Sequence, residues 1–139
     1  MNAKIEDLMV NSVITTVPHK SIGHVRKIME TNNIQSVPVV NPDDEVVGIV
    51  TSQDLIADHN EGTPIQKLMT KNVLTVPLYS DVHIAARVMR NHKIHHLVVT
   101  HEKKIVGILS SFDLLKLVED KRFVMKNPPT PSKKKSKRG

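Results

Sequence analysis

Two stretches of the chain end an apolar run with a hydroxyl residue and place a carboxylate three residues later. The first pair is Thr51 and Asp54, the second is Ser110 and Asp113, and each pair follows a Gly-Ile-Val or Gly-Ile-Leu run. Such a pair can simply cap a helix, because a Thr or Ser N-cap and an acid in the first turn both stabilise free amides. The carboxylate can instead accept hydrogen bonds from ribose hydroxyls, while the hydroxyl and the free amides bind a sugar or a phosphate. Capping alone does not explain why the arrangement occurs twice.

Both pairs belong to an internal repeat that covers most of the chain. Residues 5–55 align with residues 65–114 at an offset of sixty, with one residue lost in the last hairpin of the second copy. Met9 then corresponds to Met69, and Met29 to Met89. A repeat of this kind is a supersecondary unit that packs on its neighbour. Methionines at equivalent apolar positions are predicted to lie in the core.

Each copy predicts the element order β-α-β-β-α. A short amphipathic turn leads into a β-rich run, residues 13–15 and 73–75, which ends near a proline. A helix with apolar residues at helical spacing follows, and then a hairpin. The last helix of each copy is predicted to begin at the hydroxyl residues that end the hairpin.

The final strand of each copy, residues 46–50 and 105–109, is a continuous apolar run rather than an alternating one. Continuous runs are typical of strands that are covered on both faces. A copy of about fifty residues also buries only a thin core by itself. We therefore expect an α+β fold in which repeat 1 (1–60) and repeat 2 (61–122) pack sheet to sheet around a pseudo-twofold axis.

Composition narrows the classes of site that the chain can carry. The absence of Cys excludes a disulfide, a thiol nucleophile and a thiolate metal site. The sequence has no Gly-rich phosphate loop and no Gly-x-Ser-x-Gly motif, and the two acids share one local role rather than forming an acid-base pair. The sequence therefore predicts no catalytic residues and no enzyme.

Four histidines, His92, His95, His96 and His101, fall close together in the second copy. Histidine is the commonest metal ligand, but these residues span the predicted end of a helix and a strand, so they do not form an i, i+4 ligand pair on one helix. No metal site is predicted. Contact with a phosphate, sensitivity to pH, and an ordinary surface or packing role all stay open.

The formal net charge of +6 resides in residues 126–139, which hold six Lys and Arg and no acid. Residues 123–139 are predicted to be a disordered basic tail, because Pro, Ser and Lys leave nothing to bury. The tail is either a solubilising end or an electrostatic handle for nucleic acid or an acidic partner. The first residues lack a signal-peptide pattern, and no run approaches the roughly 18 apolar residues of a membrane span. A cytoplasmic protein without membrane association is expected.

The chain resembles a known family in four features: the repeat, the element order, the Val37–Val40 run and the two Gly-x-x-Thr/Ser-x-x-Asp stretches. They are similar to a tandem pair of cystathionine β-synthase (CBS) domains, also called a Bateman module, from residue 1 to about residue 120. The resemblance implies two clefts between the copies that bind AMP, ADP, ATP, NAD or S-adenosylmethionine. It also implies a homodimer and a role in energy sensing.

The resemblance further implies which residues hold the ligand. One cleft would use Ser110 and Asp113 with Thr15, Ile34 and Gln35, and the other would use Thr51 and Asp54 with Thr75, Ile94 and His95. By the same resemblance, Val37 and Pro38 would line a base pocket, and His95 and His96 would meet phosphates.

These residues predict a non-catalytic regulatory module. A ligand that contacts both copies would favour one relative orientation of the copies, and an unknown regulated protein would respond to that change. Two alternatives stay open. One is an accessory protein that associates with nucleic acid through the tail, and the other is a structural dimerisation module with empty clefts.

Overall fold

The computed structural model describes residues 3–120, so the predicted tail at 123–139 lies outside the described residues. Equivalent elements follow one another in the two repeats. They are α1 (Ile5–Leu8), α2 (Ile22–Asn32), β1 (Ser36–Val40), β2 (Val46–Thr51), a 3₁₀ turn (Ser52–Leu55), a second 3₁₀ turn (Ile65–Lys67), β3 (Thr75–Pro77), α3 (Val82–His92), β4 (His96–His101), β5 (Lys104–Ser110) and α4 (Leu115–Asp120).

Each repeat has a small sheet built on an antiparallel hairpin, β1 with β2 in the first and β4 with β5 in the second. In repeat 2, β3 adds to β4 in parallel and forms an edge of the sheet. In repeat 1 the equivalent strand is reduced to one parallel bridge between Thr16 and Val39. The strand therefore lies later than the predicted runs. Pro77 fits its end because an edge strand has no partner that needs the missing amide donor.

The two long helices begin and end in similar ways. Ser21 caps α2 by accepting a hydrogen bond from the amide of His24 (3.1 Å). Asp81 stands at the N-cap of α3, where its carboxylate pairs with Lys4. Both helices stop at a left-handed residue, Asn33 (φ 51°) and Lys93 (φ 55°), because this conformation turns the chain out of the helix. Each turn leads directly into the first strand of a hairpin.

The last helix of each repeat is shorter than the sequence predicts. Repeat 2 makes turns before α4 begins at Leu115, and repeat 1 forms only the 3₁₀ turn Ser52–Leu55. In repeat 1 the carbonyl of Leu55 accepts a hydrogen bond from Arg26 Nη1 (3.0 Å), and the carbonyl of Asp54 lies 3.1 Å from His59 Nε2. Side chains thus occupy the acceptors that a continuing helix would need.

Each hydrophobic core is completed by a segment of the other repeat. Ile5 and Leu8 of α1 are buried among residues of repeat 2, and Ile65 of the second 3₁₀ turn is buried among residues of repeat 1. The thioethers of Met9 and Met69 pack in equivalent places on these cores. The prediction that the repeat-equivalent methionines are core residues is confirmed for Met29 and Met89, which are buried, whereas Met9 and Met69 are partly buried against the cores.

A third apolar cluster joins the two sheets. Val40 of β1 packs with Val98 of β4 and Ile105 of β5, and all three are buried. Isolated β-bridges also cross between the repeats, for example from Val10 to Ile108. The predicted α+β fold of two repeats packed sheet to sheet is confirmed. None of the helices within residues 3–120 combines the length and the apolar character needed to cross a bilayer.

Candidate functional site

Two cavities lie between the repeats, and each has a carboxylate of the repeated motif in its wall. The Asp113 cavity has a volume of 390 Å³, and its lining residues are Val10, Ser12, Val13, Ile14, Ile34, Gln35, Ser36, Pro38, His95, His96, Ile108, Ser110, Ser111, Phe112 and Asp113. The Asp54 cavity has a volume of 450 Å³, and its lining residues are Gln35, Ile49, Thr51, Ser52, Gln53, Asp54, Thr70, Asn72, Val73, Leu74, Lys93, Ile94, His95 and His96. Both repeats contribute to both walls.

Asp113 closes a reciprocal cap at the end of β5. Its Oδ2 accepts a hydrogen bond from the amide of Ser110 (2.8 Å), and its own amide donates to Ser110 Oγ (3.1 Å). Only 8% of Asp113 is exposed. Its Oδ1 accepts no hydrogen bond from the described residues.

Asp54 makes the equivalent arrangement at the end of β2. Its Oδ2 accepts hydrogen bonds from the amide of Thr51 (2.8 Å) and from Thr51 Oγ1 (3.1 Å). Again the other carboxylate oxygen accepts none from residues 3–120. Both motifs therefore cap the backbone with one oxygen, and each leaves a second acceptor in the wall of a cavity.

Hydrogen bonds within each repeat hold these caps against the start of the hairpin. The amide of Ser52 donates to the carbonyl of Gln35 (2.8 Å), and the amide of Ser111 donates to the carbonyl of His95 (2.8 Å). The side chains pair as well, since Ser52 Oγ donates to Gln35 Oε1 (2.8 Å) and Ser111 Oγ lies 3.3 Å from His95 Nδ1. The carboxylate and the residue before the first hairpin strand are therefore held in a fixed relation.

Three residues, Gln35, His95 and His96, line both cavities. They form the shared wall between the Asp113 cavity and the Asp54 cavity, which is called the partition. Burial lowers the pKa of His96 below its ordinary value, the neighbouring His95 lowers it further, and Asp113 opposes the shift. His96 is therefore neutral at physiological pH, since a lowered pKa favours the uncharged imidazole.

Most residues implied by the resemblance lie in the cavity walls. Ile34, Gln35, Pro38, Ser110 and Asp113 line one cavity; Thr51, Asp54 and Ile94 line the other; His95 and His96 line both.

Three of the implied residues do not line either cavity. Val37 is fully buried in the core of repeat 1. Thr15 and Thr75 are replaced in the walls by the preceding residues, Ile14 and Leu74.

Phe112 and Lys93 are two of the lining residues that the sequence analysis did not anticipate. Phe112 immediately precedes Asp113 and lines the Asp113 cavity, although 75% of its surface is exposed. Lys93, the left-handed residue after α3, lines the Asp54 cavity. Both could have been identified by their closeness in sequence to predicted site residues, because Phe112 adjoins Asp113 and Lys93 lies two residues before His95.

Within residues 3–120, no group of three or more His, Cys, Asp or Glu side chains is placed to hold a metal ion. The cavity walls offer carboxylate acceptors, hydroxyl and amide donors, imidazoles and apolar surface.

Similarity to known proteins agrees with this arrangement. The sequence model of the CBS domain family matches residues 5–58 and again residues 65–120. The crystal structure of the CBS domain pair of protein MJ0100, in complex with 5′-methylthioadenosine and S-adenosyl-L-methionine, superposes with a TM-score of 0.81 at 29% identity, covering 88% of this chain and 100% of that one. An uncharacterised conserved protein from Pyrococcus horikoshii gives a TM-score of 0.78 at 28% identity, covering 90% of this chain and 98% of that one.

Among curated proteins, inosine-5′-monophosphate dehydrogenase of Methanocaldococcus jannaschii is 30% identical over 114 residues, which is 81% of this chain but 23% of the dehydrogenase. The chain thus spans about a quarter of the length of the enzymes it first matches, so the similarity concerns a small part of each of them. Two family matches, one in each repeat, cover most of the chain. The chain therefore belongs to the CBS domain family, as a pair of CBS domains.

Proposed function

We propose that the chain is a non-catalytic regulatory module that binds adenosine ligands, such as AMP, ADP, ATP, NAD or S-adenosylmethionine, in the Asp54 and Asp113 cavities. The observation that carries the proposal is the duplicated carboxylate. Asp54 and Asp113 each line a cavity and use Oδ2 for the cap. The second oxygen remains to accept hydrogen bonds, and an acidic side chain is a common partner of ribose hydroxyls in nucleotide-binding folds.

The size and the walls of the cavities support a small, partly apolar ligand. Their volumes of 390 and 450 Å³ lie within the roughly 300–1,000 Å³ range of small-molecule sites. Ile34 and Pro38 in one cavity, and Leu74 and Ile94 in the other, offer apolar surface for a purine ring. The similarity to the MJ0100 pair, whose structure contains two adenosine compounds, favours the same ligand class.

Binding would act through the relative orientation of the repeats. Because both repeats supply wall residues, a ligand that fits one arrangement better than another shifts the population toward it by its difference in affinity. An adenosine nucleotide whose level follows the energy state of the cell would make the module an energy sensor. A cytoplasmic location agrees with such a ligand.

We also propose a homodimer as the form that transmits this change. Ile56 after the first carboxylate, and Leu115 and Val118 after the second, are 80%, 57% and 61% exposed. Ile56 and Leu115 occupy equivalent positions in the two repeats, and exposed apolar side chains in such places suit a symmetric contact with a second copy. Light scattering should give the mass of a dimer for the native chain and of a monomer for Leu115→Glu/Val118→Glu.

The decisive experiment is calorimetric titration and thermal unfolding with AMP, ADP, ATP, NAD and S-adenosylmethionine, with GMP as the control ligand. A ligand at a hundred times its dissociation constant stabilises the fold by about 2.7 kcal/mol. Asp54→Asn and Asp113→Asn test the carboxylates, because Asn can still accept the cap hydrogen bond through its carbonyl oxygen but lacks the charge. We expect each variant to keep its fold and to weaken binding in its cavity by about tenfold or more.

Matched controls are Asp58→Asn and Glu119→Gln, which remove exposed carboxylates that line neither cavity. Unchanged affinity in Asp54→Asn and Asp113→Asn would refute the ribose role. If no adenosine compound binds, a structural dimerisation module is favoured. Binding of polyanions that disappears on deletion of residues 126–139 would favour the nucleic-acid alternative instead.

A further inference from the structure

The internal repeat allows the two cavities to be compared position by position. Three equivalent positions carry similar residues in the two walls: the carboxylate, the hydroxyl residue before it, and an isoleucine, which is Ile49 in one cavity and Ile108 in the other. Two other equivalent positions differ in polarity. Gln53 in the Asp54 cavity corresponds to Phe112 in the Asp113 cavity, and Thr70 corresponds to Val10. The Asp113 cavity is therefore the more apolar of two sites built on one plan.

Charge also distinguishes the two cavities. Lys93 lines the Asp54 cavity, whereas Asn33, its equivalent in repeat 1, does not line the Asp113 cavity. Among the residues that line the two cavities, Lys93 is the sole Lys or Arg. An ammonium group is a compact charge suited to phosphate.

The other groups that could meet a phosphate are shared. His95 and His96 line both cavities, so a phosphate that contacts them from one side competes with a phosphate on the other side. Two phosphate dianions at one partition would also repel each other in a partly desolvated place. The partition therefore suits one phosphate-bearing ligand at a time.

Phe112 gives the Asp113 cavity a different means of binding. Phe112 lines the cavity, yet 75% of the residue is exposed. A flat base or a thioether laid against the ring would bury apolar area, and stacking of a base on an aromatic ring stabilises binding for any base. This contact needs no phosphate on the ligand.

We infer that the two cavities bind different ligands at the same time: the Asp54 cavity takes a phosphate-bearing adenine nucleotide, and the Asp113 cavity takes an adenosine compound without a phosphate. The inference rests on the proposed function, because it divides the adenosine ligands between the two sites. The module then responds to the combination of a nucleotide and a nucleoside derivative.

The test is calorimetric titration of the full chain with AMP and with 5′-methylthioadenosine, alone and together. We expect one AMP per chain, and we expect 5′-methylthioadenosine to bind the AMP-saturated protein with unchanged affinity. Asp54→Asn should weaken AMP binding alone, and Asp113→Asn should weaken 5′-methylthioadenosine binding alone.

Two exchanges between equivalent positions sharpen the test. Lys93→Asn installs the residue found at position 33 and tolerates the left-handed backbone, and we expect AMP affinity to fall by about tenfold with 5′-methylthioadenosine unaffected. Its control is Lys103→Asn, which removes the same charge at another left-handed residue (φ 72°) outside both cavities. Phe112→Gln installs the residue found at position 53 and should weaken only 5′-methylthioadenosine, also by about tenfold. Tyr79→Gln is its control, since Tyr79 is an aromatic residue that is 65% exposed and lines neither cavity.

Several results would overturn the inference while leaving the proposed function in place. They are two equivalent AMP molecules per chain, competition between AMP and 5′-methylthioadenosine, or equal losses of both ligands in Lys93→Asn or Phe112→Gln. Failure of every adenosine compound to bind would instead refute the proposed function, and the inference with it.

Discussion

The thioether of Met9 occupies the space that a Cβ atom on Gly107 would need. Both its Cγ and its Cε lie 3.1 Å from that position, and Met69 stands in the same relation to Gly48. The glycine of each Gly-x-x-Thr/Ser-x-x-Asp motif therefore has a packing role: it admits a side chain from the other repeat beside the strand that carries the carboxylate. None of the glycines within the described residues has a positive φ, so backbone strain does not explain these two.

Gly107→Ala is expected to destabilise the fold by about 1–3 kcal/mol, because the added methyl group forces the packed thioether to move. Denaturant unfolding measures the loss. Gly62→Ala is the control, since only Asn60 Oδ1, at 3.4 Å, approaches a Cβ built there. The double variant Gly107→Ala/Met9→Ala should be destabilised by less than the sum of the two single variants, because the shortened side chain leaves room for the added methyl group. Strictly additive losses would show that the two residues are not coupled.

Thr16→Val is expected to stabilise the protein by about 1 kcal/mol. The Thr16 hydroxyl is buried and has no hydrogen-bond partner among residues 3–120, and a buried unsatisfied polar group carries a desolvation cost. The equivalent residue in repeat 2 is Val76, which is buried with 3% exposure. The reciprocal change Val76→Thr should destabilise, and both effects can be read from denaturant midpoints. A less stable Thr16→Val protein would contradict the prediction.

Stability should fall as the pH is lowered through the ordinary histidine pKa of 6.5 toward the lowered pKa of His96. In this window the unfolded chain binds a proton at His96 that the folded chain does not, so acid favours unfolding. Above pH 6.5 the stability associated with neutral His96 is fully present. Below the folded pKa of His96 the loss of stability levels off. His96→Gln should flatten the unfolding free energy in that window. The matched control is His24→Gln, which replaces an exposed histidine outside the cavities. Equal slopes in the native chain and in His96→Gln would reject the assignment.

AMP affinity is expected to fall as salt is raised from about 0.05 to 0.5 M, because mobile ions screen the contact between a phosphate and the exposed Lys93. The affinity for 5′-methylthioadenosine should stay nearly constant. Lys93→Asn should reduce the salt dependence for AMP, whereas Lys103→Asn should retain it. Titrations at four salt concentrations decide the matter, and a parallel salt dependence for both ligands would contradict the prediction.

The sequence predicted those parts of the fold that depend on local pattern. The sixty-residue repeat placed the hairpins and the central helices, and the motif spacing placed Asp54 and Asp113 at strand ends. Long-range contacts were beyond such a pattern. The sequence pattern does not show that Arg26 will donate a hydrogen bond to the carbonyl of Leu55, at the point where the predicted last helix of repeat 1 stops. Which of two neighbouring residues, Thr15 or Ile14, reaches a cavity also depends on how the two sheets pack.

Helix α1 of repeat 1 packs in the core of repeat 2, and Ile65 of repeat 2 packs in the core of repeat 1. This exchange has a consequence for how such a chain arises and how it can be divided. A fragment cut between residues 60 and 63 lacks one buried segment of its own core, so each half should assemble with the other rather than fold alone. A single ancestral unit would meet the same need by exchanging its first helix with an identical copy. Gene duplication would then join two partners that already depended on each other, and their later divergence would convert two identical pockets into two distinct ones.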